Sequence, residues 1–271
     1  MSLICPMEIK DGLTKRNYTP GRTKEIQYIV IHYTASTGDA PAQCKYFANN
    51  TVGASAHVFV GFNGDVWMSV HYEDTAWHCG AKSYVHAECR NSNSIGIEMC
   101  GKKDSTGEWY FTPETVSATC TLVAYLACKY GIDIKTHVIR HHDVTGKICP
   151  RPYVIKPDDW TKFITSACDT YAAMYKIKAG TYKTLKNAYV RVGNDVRHMD
   201  YAHTIQQSLI DNGKCKYETT DSVRNVIFLK AKSFSLVDSD TDLNGNMWGK
   251  TKSGFWLPVR YNDNMRVEVI K

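Results

Sequence analysis

The stretch Gln27-Tyr28-Ile29-Val30-Ile31-His32-Tyr33 is an almost unbroken run of β-branched and aromatic residues. Runs without polar alternation are typical of strands that are buried on both faces of a sheet. The polar segment 34–38 follows directly and indicates a loop. We therefore predict a buried strand that ends at His32, so that this histidine lies at a strand end.

Strand and helix patterns alternate on the C-terminal side of this stretch. Residues 56–60 and 66–70 have strand patterns, and Asn63-Gly64 between them predicts a type I′ turn with two positive φ angles. Residues 94–99 and 137–141 predict further strands, the latter leading into a loop. Strands interleaved with helices indicate an α/β domain.

Helical spacing predicts two long helices in the same part of the chain. Thr112 can cap a helix that begins at Pro113, and Gly131 is a suitable residue to end it. Residues 157–174 carry apolar side chains on one face, and residues 41–50 suit a shorter helix. We expect a mixed β-sheet flanked by helices.

The pattern changes after about residue 176. Four short β-type runs follow, at residues 189–192, 226–229, 255–259 and 265–269, and turn residues separate them. This spacing favours a small all-β barrel. We therefore predict two domains, an α/β domain over 1–176 and a β-barrel over 177–271.

Composition excludes several classes of protein. The 271 residues are 43% hydrophobic and 22% charged with a net charge of +6, which suits a mildly basic protein with real cores. No basic run indicates a nucleic-acid arm, and no segment approaches the roughly 18 apolar residues of a membrane span. We see no signal peptide, and we expect the ten cysteines to be free thiols.

Three elements carry side chains that suit a metal: His32 at the end of its strand, the segment His141-His142-Asp143, and Cys149 in Lys147-Ile148-Cys149-Pro150. Two imidazoles and a thiolate are good zinc ligands, and they leave a fourth tetrahedral position open, as catalytic sites require. Taken singly, each of them is more often a hydrogen-bonded histidine or a core cysteine. Their spacing alone leaves the choice open.

Five motifs in order resemble the type-2 N-acetylmuramoyl-L-alanine amidase family, which includes phage endolysins and peptidoglycan recognition proteins. The resemblance extends from about Ile26 to Trp160. The matching segments are Ile29-Val30-Ile31-His32-Tyr33-Thr34-Ala35, Ser55-Ala56-His57-Val58-Phe59-Val60, Ala76-Trp77-His78-Cys79-Gly80, Asn93-Ser94-Ile95-Gly96-Ile97-Glu98, and His141-His142-Asp143 with Lys147-Ile148-Cys149-Pro150.

The resemblance implies roles for particular residues. Zn²⁺ would be bound by His32, His141 and Cys149, and Lys147 would stabilise the tetrahedral oxyanion. Some relatives use a tyrosine as the base, but Ala56 stands at that position here, so we assign the general base to Glu98. The alternative for Glu98 is an exposed strand carboxylate.

We expect substrate contacts at Trp77, His78 and Asn93, and in the family the loop that carries Trp77 and His78 borders the substrate groove. For His78 a packing or hydrogen-bonding role is an equally open alternative. We interpret His57 and His142 as structural, and His142 is expected to point away from the metal because neighbours on an extended chain face opposite ways.

The C-terminal region resembles bacterial SH3-like domains at residues 182–193 and 248–257. In endolysins such domains bind the cell wall. Exposed tryptophans at Trp248 or Trp256 would stack on sugars, whereas buried ones would form the core of the barrel, and tryptophan is highly buried on average.

Together these features predict a zinc-dependent peptidoglycan hydrolase that cuts the bond between N-acetylmuramic acid and L-alanine. We expect a monomeric endolysin, made in the host cytoplasm and acting on the wall after release. Two alternatives remain: a zinc peptidase that cuts within the stem peptide, and a non-catalytic recognition protein. Such recognition proteins typically lose the zinc cysteine, which is present here as Cys149.

Overall fold

The computed structural model describes residues 5–193, 196, 199–202, 204–220, 223–242, 244–261 and 264–270. These residues divide into two compact units, 5–171 and 172–270. The division lies inside a helix, a few residues before the boundary at 176/177 that the sequence predicts. The assignment of two functional domains stays a prediction.

The first unit is built of short strands and six helices. Its strands are β1 (Ile9–Asp11), β2 (Tyr18–Thr19), β3 (Tyr28–Tyr33), β4 (Val58–Val60), β5 (Val66–Met68), β6 (Thr75–Ala76), β7 (Ser94–Met99), β8 (Lys102–Lys103), β9 (Trp109–Tyr110) and β10 (Val138–Arg140). Its helices are α1 (Ala40–Asn49), α2 (Pro113–Tyr130), α3 (Ile134–His137), α4 (His141–Thr145), α5 (Arg151–Ile155) and α6 (Pro157–Tyr175), the last of which continues past the division.

Six of these strands form one mixed sheet in the order β1-β5-β4-β7-β3-β10. Strand β3 lies between β7 and β10 and is parallel to both, while β4 and β5 are antiparallel. Five of the six residues of β3 are buried, as expected for a strand at the centre of a covered sheet. The mixed α/β fold that the sequence predicts is confirmed.

Helix α2 confirms the prediction from its capping residues. Thr112 accepts a hydrogen bond from the Thr115 amide, Pro113 occupies the first turn, and Gly131 ends the helix at φ 72°. Its buried face contains Leu122 and Leu126. A polar cap at one end and a left-handed glycine at the other set the length of the helix.

The predicted type I′ turn at Asn63-Gly64 is wrong. Only Gly64 has a positive φ, of 79°, and the loop is longer, with the Gly61 amide donating to the Asp65 carbonyl at 2.8 Å. The reason is a tertiary contact, in which Thr115 Oγ1 of α2 donates a hydrogen bond to the Gly61 carbonyl at 2.8 Å. Packing against the start of α2 therefore selects the wider loop over the two-residue turn.

The second unit consists mainly of antiparallel strands. They are β11 (Gly180–Thr184), β12 (Ala188–Tyr189), β13 (Arg191–Val192), β14 (Asp200–Tyr201), β15 (Cys215–Thr220), β16 (Val223–Phe228), β17 (Ser233–Thr241), β18 (Met247–Thr251), β19 (Trp256–Tyr261), β20 (Asn264–Met265) and β21 (Val267–Val269). One short helix, α7 (Gln207–Asp211), precedes β15.

The larger sheet of this unit has the order β14-β13-β19-β18-β17-β11-β21, and β20 pairs with β19. A second sheet has the order β12-β16-β15. Trp248 and Trp256 are only 5% and 3% exposed, so of the two alternatives for them the core role is the one confirmed. Both pack with Val196 in a small core cluster.

Among the described residues, no helix is both long and apolar enough to cross a membrane.

Candidate functional site

The site begins with the register of the parallel strands β3 and β7. His32 is paired with Glu98, and Glu98 is in turn paired with Phe59 of β4. Paired residues on neighbouring strands project from the same face of a sheet. The sheet therefore presents His32 and Glu98 next to each other on one face.

His141 reaches the same place because β10 runs parallel to β3 on its other side. Arg140, the last residue of β10, is paired with Ile31, and His141 follows it as the first residue of α4. The Arg140 guanidinium holds the Asp143 carboxylate at 2.7 Å, while the Arg140 amide donates to the same carboxylate. This pair fixes the first turn of α4 directly behind His141.

Cys149 is brought back by the turn after α4. The helix ends at Gly146, which has a φ of 79°, and the His142 amide donates to the Cys149 carbonyl at 2.7 Å. The expected loop at this point is thus a short helix. As expected, His142 points away from the cluster, and its Nδ1 atom lies 3.1 Å from the Lys147 carbonyl oxygen. The cause is the helical geometry of α4 and not the alternation of an extended chain.

His32, His141 and Cys149 therefore form one buried cluster. A ligand atom from each lies within 4.8 Å of the other two, and His32 Nδ1 is 3.8 Å from Cys149 Sγ. Two ring nitrogens and one sulfur at this separation match the donor set of a zinc site with an open position. The three side chains that the sequence singles out do lie together.

Electrostatics at the cluster suit metal binding. Burial, together with the neighbouring His141 and His78 rings, holds the pKa of His32 well below its usual value, and burial lowers the pKa of His141 to about 4. Both imidazoles are therefore neutral near pH 7, with a lone pair available. Burial raises the pKa of the Cys149 thiol to about 12, so that a cation must replace its proton before the sulfur binds as thiolate.

Glu98 lies beside the cluster in a desolvated setting. Burial raises its pKa to about 8, while the Lys147 charge opposes that rise. In the described part of the chain, its buried Oε2 atom has no hydrogen-bond partner. The residue also lines a cavity of about 400 Å³ together with Ser36, Gln43 and Tyr46. A buried carboxylate oxygen without a partner in a protein is costly and indicates a role toward a ligand.

Lys147 is exposed and follows Gly146 in the turn that returns to Cys149. Its charge helps to lower the pKa values of His141 and Glu98. Its ammonium group therefore acts on the cluster from the solvent side.

The three predicted substrate contacts differ in burial, since Asn93 and His78 are buried whereas Trp77 is partly exposed. Asn93 is buried, and its side chain accepts a hydrogen bond from the Arg90 amide at 2.7 Å and donates to Gln27 and to the Glu88 carbonyl. Trp77 donates from Nε1 to Thr19 Oγ1 at 2.9 Å. Their assignment as substrate contacts stays a prediction.

His78 is 8% exposed, and both of its ring nitrogens face protein partners. Nδ1 is 3.1 Å from His32 Nε2, and Nε2 is 3.1 Å from Ser94 Oγ. The structure thus supplies the hydrogen-bonding alternative for His78, while a substrate contact stays a prediction. The sequence does not single out Ser94, because nothing in the pattern of a buried strand distinguishes its hydroxyl.

Arg22 is another site residue that the sequence does not single out. Its guanidinium contacts His57 Nε2 at 2.7 Å and donates to the Ser94 carbonyl at 3.1 Å. His57 also accepts from the Gly96 amide through Nδ1 at 2.9 Å. These contacts are consistent with a structural role for His57. Arg22 precedes the first strand pattern in a polar segment, so nothing local marks it.

Known proteins resemble the first unit. Residues 22–152, which contain every candidate site residue, match the family described as N-acetylmuramoyl-L-alanine amidase. N-acetylmuramoyl-L-alanine amidase BlyA of Bacillus subtilis (strain 168) is 33% identical over 158 residues, which cover 53% of this chain and 42% of that protein. N-acetylmuramoyl-L-alanine amidase CwlL of Bacillus licheniformis is 31% identical over 167 residues, which cover 57% of this chain and 45% of that protein. The chain thus spans less than half the length of these relatives.

Solved structures match the same fold. The structure of PlyL superposes with a TM-score of 0.50 and 25% identity, covering 59% of this chain and 97% of that one. The solution structure of the PlyG catalytic domain gives a TM-score of 0.51 at 25% identity, covering 61% of this chain and 96% of that one. The similarity therefore covers nearly the whole of those domains.

Gly96 makes room for the His78 ring, and this can be tested. A Cβ atom at Gly96 would lie 2.5 Å from His78 Cγ, whereas one at the exposed Gly80 would meet only Asn91 at 3.6 Å. We expect Gly96→Ala to lower the free energy of unfolding by ~1–3 kcal/mol, as overpacking does. Gly80→Ala, the matched control, should stay within about 0.5 kcal/mol. Urea unfolding measures both, and equal values would contradict the close contact.

Proposed function

From the match of residues 22–152 to the N-acetylmuramoyl-L-alanine amidases, we propose that this chain hydrolyses the amide between N-acetylmuramic acid and L-alanine in bacterial peptidoglycan. The observation that carries the proposal is the buried cluster of His32, His141 and Cys149 beside Glu98, whose buried Oε2 has no hydrogen-bond partner among the residues that the structure describes. A metal site with an adjacent base is the arrangement that amide hydrolysis requires.

The cluster fits Zn²⁺ by the chemistry of its donors. Neutral imidazoles and a thiolate are preferred by zinc, whereas oxygen ligands suit magnesium and calcium. His32, His141 and Cys149 would hold the ion. When bound, zinc supplies Lewis acidity, which polarises a carbonyl group and makes water a better nucleophile near neutral pH.

Proton transfer and the stabilisation of charge are carried out by side chains of the protein itself. Glu98 takes the proton of the attacking water and delivers it to the leaving nitrogen of L-alanine, and a pKa near 8 suits a group that must do both. Lys147 provides positive charge near the oxygen that becomes negative in the tetrahedral transition state. The cavity lined by Ser36, Gln43 and Tyr46 offers space for substrate beside Glu98.

We further propose that the second unit is an SH3-like module that attaches the enzyme to the wall, as in an endolysin. Residues 172–271 contain 16 Lys and Arg against 10 Asp and Glu, whereas residues 1–171 contain 17 of each. The whole net positive charge therefore lies in the second unit. Such a charge favours an anionic wall polymer.

An aromatic surface of the second unit supports the same role. Tyr189 and Tyr201 are 37% and 38% exposed, their rings meet edge to face at 5.4 Å, and Arg191 lies over Tyr201 at 3.3 Å. Exposed tyrosines offer flat apolar faces with a polar tip, which suits contact with a sugar polymer. These residues replace Trp248 and Trp256 as the candidates for wall contact.

The metal proposal predicts that the purified protein binds about one equivalent of Zn²⁺ and that a chelator removes both zinc and activity. Cys149→Ala removes one of three ligands, so we expect it to bind less than about a tenth of an equivalent under the same conditions. Cys44→Ala, which removes another buried thiol, should keep the full equivalent. Metal analysis after gel filtration decides, and equal zinc content in both variants would remove Cys149 from the site.

The reaction is tested by mass spectrometry of digested peptidoglycan. We expect stem peptides that begin with free L-alanine, and muramic acid freed from its peptide. Glu98→Gln should keep zinc but lower the rate by ~10²–10⁴-fold, the usual contribution of a general base. Glu108→Gln, an exposed carboxylate paired with Arg151, should match the wild type.

Each other result has a definite meaning. New termini inside the stem peptide would replace the amidase with the peptidase alternative. Binding without any cleavage would favour the recognition-protein alternative. Near-native rates for Glu98→Gln would show that another group is the base.

The attachment proposal predicts that a chain ending at residue 178 still cleaves solubilised peptidoglycan but binds intact cells at least about tenfold more weakly, because the multivalent wall contact is lost. Tyr201→Ala in the full chain tests the aromatic surface, and Tyr110→Ala, at an exposed tyrosine of the first unit, is its control. Cell-pelleting assays at low and high salt measure binding. Unchanged binding of the shortened chain would remove the targeting role.

A further inference from the structure

The His32 ring lies between two different partners. Its Nδ1 atom faces the cluster, 3.8 Å from Cys149 Sγ, and its Nε2 atom lies 3.1 Å from His78 Nδ1. A neutral imidazole carries one N–H and one lone pair. His32 can therefore bind a metal in the cluster only when its proton is on Nε2 and its lone pair is on Nδ1.

The hydroxyl of Ser94 determines which of the two arrangements is favoured. Ser94 Oγ lies 2.6 Å from the Arg90 carbonyl oxygen, which can only accept a hydrogen bond. The single hydroxyl proton of Ser94 is therefore directed at Arg90. The Ser94 oxygen is then left to accept, and its neighbour at 3.1 Å is His78 Nε2.

The directions of the other hydrogen bonds in this series follow from the direction of the bond between Ser94 and the Arg90 carbonyl. His78 donates from Nε2 to Ser94, so its lone pair is on Nδ1 and accepts from His32 Nε2–H. His32 then presents its lone pair from Nδ1 to Cys149 and His141. If the two hydrogen bonds ran in the opposite direction, the proton of His32 would be on Nδ1. It would then face the cluster and block metal binding.

We propose that His78 and Ser94 are positioning residues that hold His32 in its metal-binding tautomer, through a hydrogen-bonded chain ending at the Arg90 carbonyl. The inference rests on the proposed metal site. Metal-bound histidines commonly donate their second ring N–H to a protein acceptor that orients them. Here that acceptor is a second imidazole, whose own tautomer is set by a serine.

Burial and neighbouring contacts preserve the hydrogen bonds that link Ser94, His78 and His32. Ser94 is fully buried and His78 nearly so, which keeps competing water away. The loop that carries His78 is held by Asn91, whose Oδ1 accepts from the His78 and Cys79 amides at 3.1 and 2.8 Å. Gly96, which has no side chain, lets the His78 ring approach the sheet.

Nuclear magnetic resonance of the ¹⁵N-labelled, metal-free full chain near pH 7 reads the tautomers directly. Two-bond ¹⁵N–¹H correlations distinguish a histidine protonated at Nε2 from one protonated at Nδ1. We expect His32 and His78 both to be protonated at Nε2, and Ser94→Ala to shift both toward the Nδ1–H form. A wild-type His32 protonated at Nδ1 would overturn the proposal.

Zinc affinity, measured by chelator competition with Zn²⁺ alone, provides the second readout. Ser94→Ala and His78→Leu should weaken binding by ~10–100-fold, the usual effect of losing such a partner. His78→Gln should retain more affinity than His78→Leu, because an amide can accept from His32 and donate to Ser94. Cys120→Ala, at a buried thiol of α2 that contacts the Phe163 carbonyl and neither His78 nor Ser94, should remain within about twofold of the wild type, since distant sites act independently.

The outcomes separate the two proposals. If the wild type binds no zinc, the proposed metal site fails and the positioning role fails with it. If the wild type binds zinc but Ser94→Ala and His78→Leu bind it equally well, only the positioning role is overturned. If Cys120→Ala loses as much affinity as Ser94→Ala, the effect is general packing, which also overturns the role.

Discussion

The parallel pairing of β3 with β7 on one side and β10 on the other is the constraint on which the site depends. It sets His32 level with Glu98 in register and starts α4 one residue beyond the partner of Ile31. A shift of one residue between β3 and β7 would turn His32 and Glu98 to opposite faces, because side chains alternate along a strand. The apolar residues Ile29 and Ile31, fully buried on the other face, oppose such a shift.

Burial serves different ends at neighbouring residues of this site. It keeps His32 and His141 neutral by lowering their pKa values, and it raises the pKa of Glu98 toward neutrality. The same desolvation would be destabilising for each group if nothing compensated it. For His32 the compensation is a partner on each ring nitrogen, whereas Glu98 Oε2 has none among the described residues. This difference distinguishes the histidines, which are held by protein partners, from Glu98, which we propose acts on the substrate.

The sequence predicts those parts of the structure whose causes are local or carried by a motif. Helix α2 is predicted with its correct ends because Thr112 and Gly131 act through their own backbone neighbours. The gathering of His32, His141 and Cys149 is expected from the resemblance, and these side chains are in fact close together. The loop at Asn63 is mispredicted because its shape is decided by α2, about fifty residues later in the chain.

Other features could not be predicted from the sequence, because they depend on tertiary contacts that the local pattern does not reveal. A serine in a buried strand carries no signal that its hydroxyl will meet the ring of His78, sixteen residues earlier. The burial of Trp248 and Trp256 follows from the way β18 and β19 pack with Val196, which the strand pattern alone does not reveal. An aromatic residue in a small β-rich unit can serve the core or the surface equally well by its chemistry.

The two units also differ in net charge, and this difference bears on the site. In residues 1–171 positive and negative charges are equal in number, so long-range attraction to an anionic wall is weak there. At the cluster itself, a nearby positive charge from Lys147 is tolerated because it is exposed and screened by solvent. An excess of positive charge within the first unit would hold an anionic polymer at many places other than the cavity of Glu98. In the proposed wall attachment, concentrating that excess in residues 172–271 provides the attraction without adding charge to the first unit, where the proposed metal site requires a neutral His32.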